Sequence, residues 1–197
     1  DTGAMYRGVG LACLRAGVSV DDAEACGEVA REHVVSFEPG RAGSSQRVFL
    51  DGEDVSAAIR TPEAGQAASA VARHGAVRHA LLEQQRSLGN GGGVVMDGRD
   101  IGTVVLPDAQ LKVFLTASLQ ERARRRCLEL SQRGHPVPLD QVASEIAARD
   151  NQDASRAVAP LAKADDALEL DTTSLSAEAA AARIVEIARQ RAGFARG

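Results

Sequence analysis

The stretch Val94-Val95-Met96-Asp97-Gly98-Arg99-Asp100-Ile101-Gly102-Thr103-Val104-Val105 decides how the fold is interpreted. Its first apolar run ends in two carboxylates that flank a glycine and an arginine, and the glycine-rich segment 89–93 leads into it. Open α/β sheets bind ligands at the carboxyl ends of their strands, so Asp97, Arg99 and Asp100 would lie at such an edge. Taken alone, the stretch favours a β-hairpin whose two-residue turn is Asp97-Gly98. The other segments of the chain are needed to distinguish a strand of an open α/β sheet from this hairpin.

Helices and strands alternate on both sides of this stretch. Helical spacing of apolar residues and capping residues predict helices at 5–16, 21–31, 61–88 (loosened at 74–75), 118–134, from 140 onward, and 176–191. Short apolar runs predict strands at 33–37, 46–50, 53–56, up to 97, 111–115 and 167–170. This order predicts an α/β fold with a mostly parallel sheet, in which strand 111–115 is buried on both faces. The three strands between residues 33 and 56 form a small antiparallel insertion.

Composition excludes several classes of protein. A net charge of −4 over 197 residues and 3% aromatic residues argue against a nucleic-acid-binding protein. Three widely spaced cysteines predict reduced thiols. No apolar run is long enough for a membrane span, and no signal peptide is visible, so we expect a cytoplasmic protein without membrane or nucleic-acid partners.

Two groups of arginines are candidates for binding polyanions. One is the run Arg122, Arg124, Arg125 and Arg126, followed by Arg133; the other is Arg149, Asp153 and Arg156, at i, i+4 and i+7 of a helix. Solvated ion pairs explain either group taken singly. Together they flank a proline-containing loop and suggest a flap that closes over phosphates, whose oxygens the arginine fork matches. Zinc, serine-hydrolase and G-x-x-x-x-G-K-[ST] motifs are absent from the sequence.

Four segments lie in order along nearly the whole chain. They are Asp1-Thr2-Gly3-Ala4-Met5-Tyr6-Arg7; Gly52-Glu53-Asp54-Val55-Ser56 with Ile59-Arg60-Thr61; residues 97–105; and Arg149-Asp150 with Asp153 and Arg156-Ala157-Val158-Ala159-Pro160-Leu161. Together they closely resemble the bacterial cytidylate (CMP) kinase family. The resemblance implies a P-loop-kinase-like, nucleoside monophosphate kinase fold with three αβα layers, and it displaces the hairpin interpretation. It also implies a core of residues 1–32, 89–117 and 157–197, a CMP-binding subdomain of residues 33–88, and a lid of residues 118–156.

The same resemblance implies the reaction, which is transfer of a phosphoryl group from ATP, with Mg²⁺, to CMP or dCMP. Asp100 and Ser69 would accept from the cytosine amine, and Arg78 would donate to the ring acceptors, a set that fits the chemistry of cytosine. The remaining positions are also carried over by resemblance. Arg7, Arg99 and Thr2 would bind the α-phosphate, and Asp153 would hold the ribose hydroxyls with Arg156 alongside the base or the sugar. Arg126 and Arg149 would lie on the ATP side. Arg99, Arg126, Arg149 and Arg156 would neutralise the migrating group. No protein side chains are expected as metal ligands.

One departure from the family concerns its first strand and phosphate-binding loop, which precede the position that matches Asp1 and are not in this sequence. We therefore expect a chain that lacks an N-terminal segment and is poorly active by itself. A CMP-binding fragment without catalysis and a kinase for UMP or another nucleotide remain alternatives. Uracil fits less well, because its O4 is an acceptor that the carboxylate of Asp100 would repel. The family suggests a monomer.

Overall fold

The computed structural model describes residues 1–38, 46–132 and 134–191. The chain divides into two compact units, one ending at Ile101 and one beginning at Gly102. The first unit contains α1 (Thr2–Ala16), α2 (Ala23–Glu32), β1 (Val35–Glu38), β2 (Arg47–Leu50), β3 (Glu53–Asp54), a 3₁₀ turn (Ala58–Arg60), α3 (Pro62–Val71) and α4 (Gly75–Gly89). After a π-helical turn (Ile101–Val105), the second contains β4 (Val113–Thr116), α5 (Leu119–Gln132), α6 (Leu139–Ser155), β5 (Leu168–Asp171) and α7 (Ala177–Arg191). The protein is therefore α/β.

Helix α1 lies at the centre of the first unit. Its side chains Met5, Val9 and Cys13 are fully buried in the hydrophobic core. The backbones of α1 and α3 approach closely, because a Cβ built at Gly10 would lie 2.9 Å from the backbone nitrogen of Ala68. Small residues at this crossing thus set the distance between the two helices.

The predicted antiparallel insertion is present as a sheet in the order β1-β2-β3. Its register pairs Val35 with Leu50 and Glu38 with Arg47. The inward-facing side chains Val35, Val48 and Leu50 are buried in the same core as α1. The turn before β3 is Asp51-Gly52, where φ is 50° and 86°, and such left-handed pairs suit a two-residue hairpin.

The predicted helix over 61–88 is in fact two helices. Thr61 accepts from the backbone nitrogen of Ala64 and begins α3 with proline at its first position. The helix ends at Val71, and His74 adopts an extended conformation before α4 begins. A ring nitrogen of His74 lies 2.8 Å from the carbonyl oxygen of Val20. This long-range bond holds the break, whereas the sequence predicted only a loosened helix.

The second unit contains a parallel pair, β4 and β5, with Val113 opposite Leu168 and Thr116 opposite Asp171. The prediction that residues 111–115 are buried on both faces is wrong, because Leu115 remains 56% exposed. Within the described residues this sheet has two strands, so β4 has β5 on one side and no strand on its other side.

The predicted strand ending at Asp97 is also not formed. Residues 94–97 are irregular, and Val95 is 96% exposed. A strand requires a partner backbone, and none of the strands in the described parts of the chain pairs with this segment. None of the helices in residues 1–38, 46–132 and 134–191 is both long and apolar enough to cross a bilayer.

Candidate substrate-binding site

The segment Asp97-Gly98-Arg99-Asp100 is fixed to the beginning of α1. The backbone nitrogen and the hydroxyl of Thr2 both donate to the carbonyl oxygen of Asp97, at 3.0 and 2.8 Å. A Cβ at Gly98 would lie only 2.3 Å from Oγ1 of Thr2. Glycine is therefore required at this position by the close approach of two segments far apart in sequence.

A buried ion pair ties the same segment to α4. Nη2 of Arg78 lies 2.5 Å from Oδ2 of Asp100, and the two side chains are only 5% and 10% exposed. Nη1 of Arg78 donates to the carbonyl oxygen of Ala72 at 3.3 Å, while its Nε has no acceptor among the described residues. Removing either partner of such a pair strongly destabilises the folded protein, since the other charge is then left buried and unpaired.

The ring of Tyr6 lies beneath the Arg78 guanidinium, 5.4 Å from its centre. This is within the range of a cation–π contact. Tyr6 was not among the site residues inferred from the sequence, although it directly precedes Arg7 in one of the segments that carry the resemblance. The signal in the sequence was its position directly before an expected phosphate ligand.

Four elements of the first unit thus converge on one region. Helix α1 carries Thr2 and Arg7, α3 carries the half-buried Ser69, and α4 carries Arg78. Arg99 is exposed between Gly98, which contacts Thr2, and Asp100, which binds Arg78. The sequence-predicted residues of this unit therefore lie on elements that the ion pair, the Thr2 hydrogen bonds and the α1–α3 packing bring together.

A second buried ion pair lies at the end of α6 in the second unit. Oδ1 of Asp153 is 3.4 Å from Nη1 of Arg156, and both side chains are more than 90% buried. The backbone of Leu161 donates to the carbonyl oxygen of Asp153 at 2.8 Å and folds the following segment back onto the helix end. Arg149 is exposed one turn earlier.

The arginines of α5 all have partners within the protein. Arg122 joins α5 to α6 through Asp150 at 2.6 Å. Arg125 donates to the carbonyl oxygens of Thr172 and Leu175 after β5, so its role is structural. Arg126 is 46% exposed and pairs with Glu129 at 2.7 Å. The predicted basic patch is thus largely engaged in intramolecular bonds, and Arg133 lies outside the described residues.

Electrostatic effects are clearest at Glu121 in the first turn of α5. Hydrogen bonds from Arg124 and then Arg125, both at 2.8 Å, lower the pKa of this carboxyl to about 2. In the first unit, burial followed by contact with Cys26 raises the pKa of the Cys13 thiol to about 12. All three cysteines are free thiols. In the described parts of the chain, no three His, Cys, Asp or Glu side chains are grouped to hold a metal ion.

Comparisons with known proteins identify the family. A family model described as Cytidylate kinase matches residues 1–190. A protein named Cytidylate kinase from Bacillus pumilus (strain SAFR-032) is 50% identical over 188 residues, which are 95% of this chain and 83% of that protein. Proteins of the same name from Bacillus cereus (strain ATCC 10987 / NRS 248) and Bacillus thuringiensis (strain Al Hakam) are also 50% identical, over 187 residues, or 95% of this chain and 82% of theirs.

Proposed function

Because the chain belongs to the cytidylate kinase family and is a kinase that phosphorylates CMP, we propose that the buried Arg78–Asp100 pair recognises the cytosine base. Cytosine presents an amine donor beside ring acceptors on one edge. Asp100 supplies a charged acceptor, and Arg78 supplies donors immediately next to it. This adjacency, in a site that is largely shielded from water, is the observation that carries the proposal. The hydroxyl of Ser69 would be a second partner for the amine.

Recognition of the phosphate falls, in this proposal, to Arg7 and Arg99. Arg99 is exposed and arginine binds phosphate oxygens through two parallel hydrogen bonds. Thr2 is the third candidate, and its hydroxyl would have to exchange its hydrogen bond to Asp97 for one to the phosphate. Until CMP binds, Thr2 serves to hold the segment that carries Arg99.

The second unit contributes, by the resemblance, Asp153 for the ribose hydroxyls and Arg156 beside it. The buried Asp153–Arg156 pair supports this role, because it presents a fixed acceptor and donor together. Arg126 and Arg149 are proposed for the ATP phosphates, and both are exposed. Arginines placed around a migrating phosphoryl group stabilise its charge without covalent chemistry, and Arg99 and Arg156 would add to this on the acceptor side.

The phosphoryl donor in this proposal is ATP, and dCMP is an acceptor as well as CMP. Mg²⁺ would enter with ATP and would neutralise phosphate charge. The three-layer nucleoside monophosphate kinase architecture, a cytoplasmic location and a monomeric state belong to the same proposal. The motif G-x-x-x-x-G-K-[ST], whose backbone binds ATP phosphates, does not occur in residues 1–197, and weak activity of this polypeptide alone stays a prediction.

Calorimetric titration of the chain with CMP, dCMP and UMP tests the base-binding site without requiring turnover. We expect CMP and dCMP to bind and UMP to bind more weakly, because its O4 would face the Asp100 carboxylate. Equal affinity for CMP and UMP would refute the assignment of Arg78 and Asp100. A coupled ADP-release assay, on this chain and on one extended by a phosphate-binding loop, then separates a catalytic protein from a fragment that only binds CMP.

A further inference from the structure

The connection between α4 and the Asp97–Asp100 segment contains the dipeptide Asn90-Gly91. Asn90 follows the last residue of α4, and its backbone nitrogen donates to the carbonyl oxygens of Arg86 and Ser87. Its side chain is exposed and makes no hydrogen bond within the described residues. The amide group of Asn90 is therefore free to react.

The nitrogen of Gly91 is the neighbouring nucleophile. It donates no hydrogen bond in the described parts of the chain, and glycine has no side chain to crowd its approach. The next two residues, Gly92 and Gly93, both have positive φ, 66° and 62°. A run of glycines has more conformational freedom than any other backbone, which favours the rotation that brings this nitrogen to the Asn90 side chain.

We propose that Asn90 is a site of spontaneous deamidation. The Gly91 nitrogen attacks Cγ of Asn90, the N–Cγ bond forms, the Cγ–Nδ2 bond breaks, and ammonia leaves with the proton of the Gly91 N–H. Water then opens the resulting succinimide. Cleavage of the bond from nitrogen to Cγ gives aspartate, and cleavage of the bond to the main-chain carbonyl carbon gives isoaspartate. Water and ammonia balance the reaction, and no oxidant or reductant takes part.

The chain supplies its own internal control. Asn151, the other asparagine of the sequence, lies inside α6 and is followed by Gln152 instead of glycine. Ring closure at Asn151 would have to break helical hydrogen bonds, and the side chain of Gln152 would crowd the attacking nitrogen. The same solution therefore contains one asparagine that meets the requirements and one that does not.

The modification changes both the charge and the length of the connection between α4 and the Asp97–Asp100 segment. A carboxylate at residue 90 faces the negative end of the α4 macrodipole, which disfavours it. Isoaspartate adds one methylene to the backbone between α4, which carries Arg78, and the segment that carries Asp100. Modified chains should accordingly be more acidic and less stable than unmodified ones.

The test is to incubate the purified chain at mildly alkaline pH and follow both asparagines by peptide mass mapping over time. Asn90 should convert at least about tenfold faster than Asn151, and isoaspartate should appear at residue 90. Gly91→Ala should slow the conversion, and it can be expected to fold, because a Cβ at this position meets nothing within 4 Å. Asn90→Asp reproduces the charge of one product and should lower the melting temperature slightly.

Equal conversion at the two asparagines, or conversion at Asn90 that Gly91→Ala does not slow, would overturn the proposal. Neither readout depends on CMP binding or on kinase activity, so the result is independent of the proposed function.

Discussion

In the proposed function, two side chains, Arg78 and Asp100, determine which base is bound. Each is buried, each holds the other in place, and the ring of Tyr6 supports the guanidinium. A site built to form hydrogen bonds with a particular group discriminates strongly against analogues that leave its buried atoms unpaired. Single substitutions at this pair should therefore change specificity as well as affinity.

In an enzyme that carries the phosphate-binding loop, Asp100→Asn should lower kcat/KM for CMP. The loss should correspond to about 2–3 kcal/mol of transition-state free energy, the cost of an unsatisfied buried polar group. The new NH₂ group would oppose the cytosine amine and suit O4 of uracil, so UMP should lose much less or gain. The measured quantity is the CMP/UMP ratio of kcat/KM. Asp108→Asn, at an exposed position, is the matched control. An unchanged ratio would mean that Asp100 does not contact the base.

Tyr6→Leu should weaken CMP binding by about 1 kcal/mol, because the cation–π contact that orients Arg78 is lost. Tyr6→Phe keeps the ring and should keep most of this contribution. Calorimetry of both variants with CMP distinguishes the two, and circular dichroism shows whether either has lost structure. Equal weakening by Leu and Phe would assign the effect to the hydroxyl instead of the ring.

At the level of elements, close backbone approaches position the helices that carry the site. The α1–α3 crossing depends on Gly10, and the contact between α1 and the Asp97–Asp100 segment depends on Gly98. Protein interiors are so closely packed that one additional methyl group displaces the neighbouring atoms. The site thus depends on residues that have no side chain of their own.

Gly10→Ala should lower the free energy of unfolding by about 1–3 kcal/mol through overpacking against α3. Gly65→Ala is the matched control, since Gly65 also lies in a helix but a Cβ there meets nothing within 4 Å. That change should be neutral or stabilise by up to about 1 kcal/mol, because alanine is the better helix former. Urea unfolding of both variants measures the difference. Similar effects at the two positions would contradict the packing argument.

The first turn of α5 should be acid-sensitive. The folded pKa of Glu121 is lowered from 4.5 to about 2, so the folded state binds its proton less readily than the unfolded state. Its stabilising contribution is present above pH 4.5 and is lost as the pH falls toward 2. The melting temperatures of the wild type and Glu121→Gln should differ at neutral pH and converge in acid. A constant difference across this range would show that the Glu121 charge is not responsible.

On the scale of the whole molecule, the proposed function assigns CMP-binding residues to each of the two units. Addition of CMP should therefore slow hydrogen exchange in residues 60–80, which include Ser69 and Arg78, and in residues 145–160, which include Asp153 and Arg156. Fewer opening fluctuations in ligand-bound segments are the physical reason. Helix α7 serves as the control segment and should exchange equally with and without CMP. Equal protection of the two candidate segments in both conditions would remove them from the site.

The sequence by itself determined the features that depend on neighbours along the chain. Asp22 begins α2 by accepting from the backbone nitrogens of Glu24 and Ala25, and Gly17 ends α1 with φ of 66°. Both lie close to the ends of the helices that the sequence predicted over 21–31 and 5–16. Caps and tight turns involve only a few consecutive residues, so their residue types suffice to identify them. The family was equally accessible, because segments that resemble it lie in order along nearly the whole chain, and the family model matches residues 1–190.

Only the tertiary structure decided what depends on distant residues. It divided the helix predicted over 61–88 at His74, left Leu115 exposed, and placed the Tyr6 ring beneath Arg78. It also joined Thr2 to Asp97 and Arg78 to Asp100, contacts that span 95 and 22 positions. Local patterns cannot encode such pairings, because burial and charge compensation at one residue depend on which distant side chain packs against it.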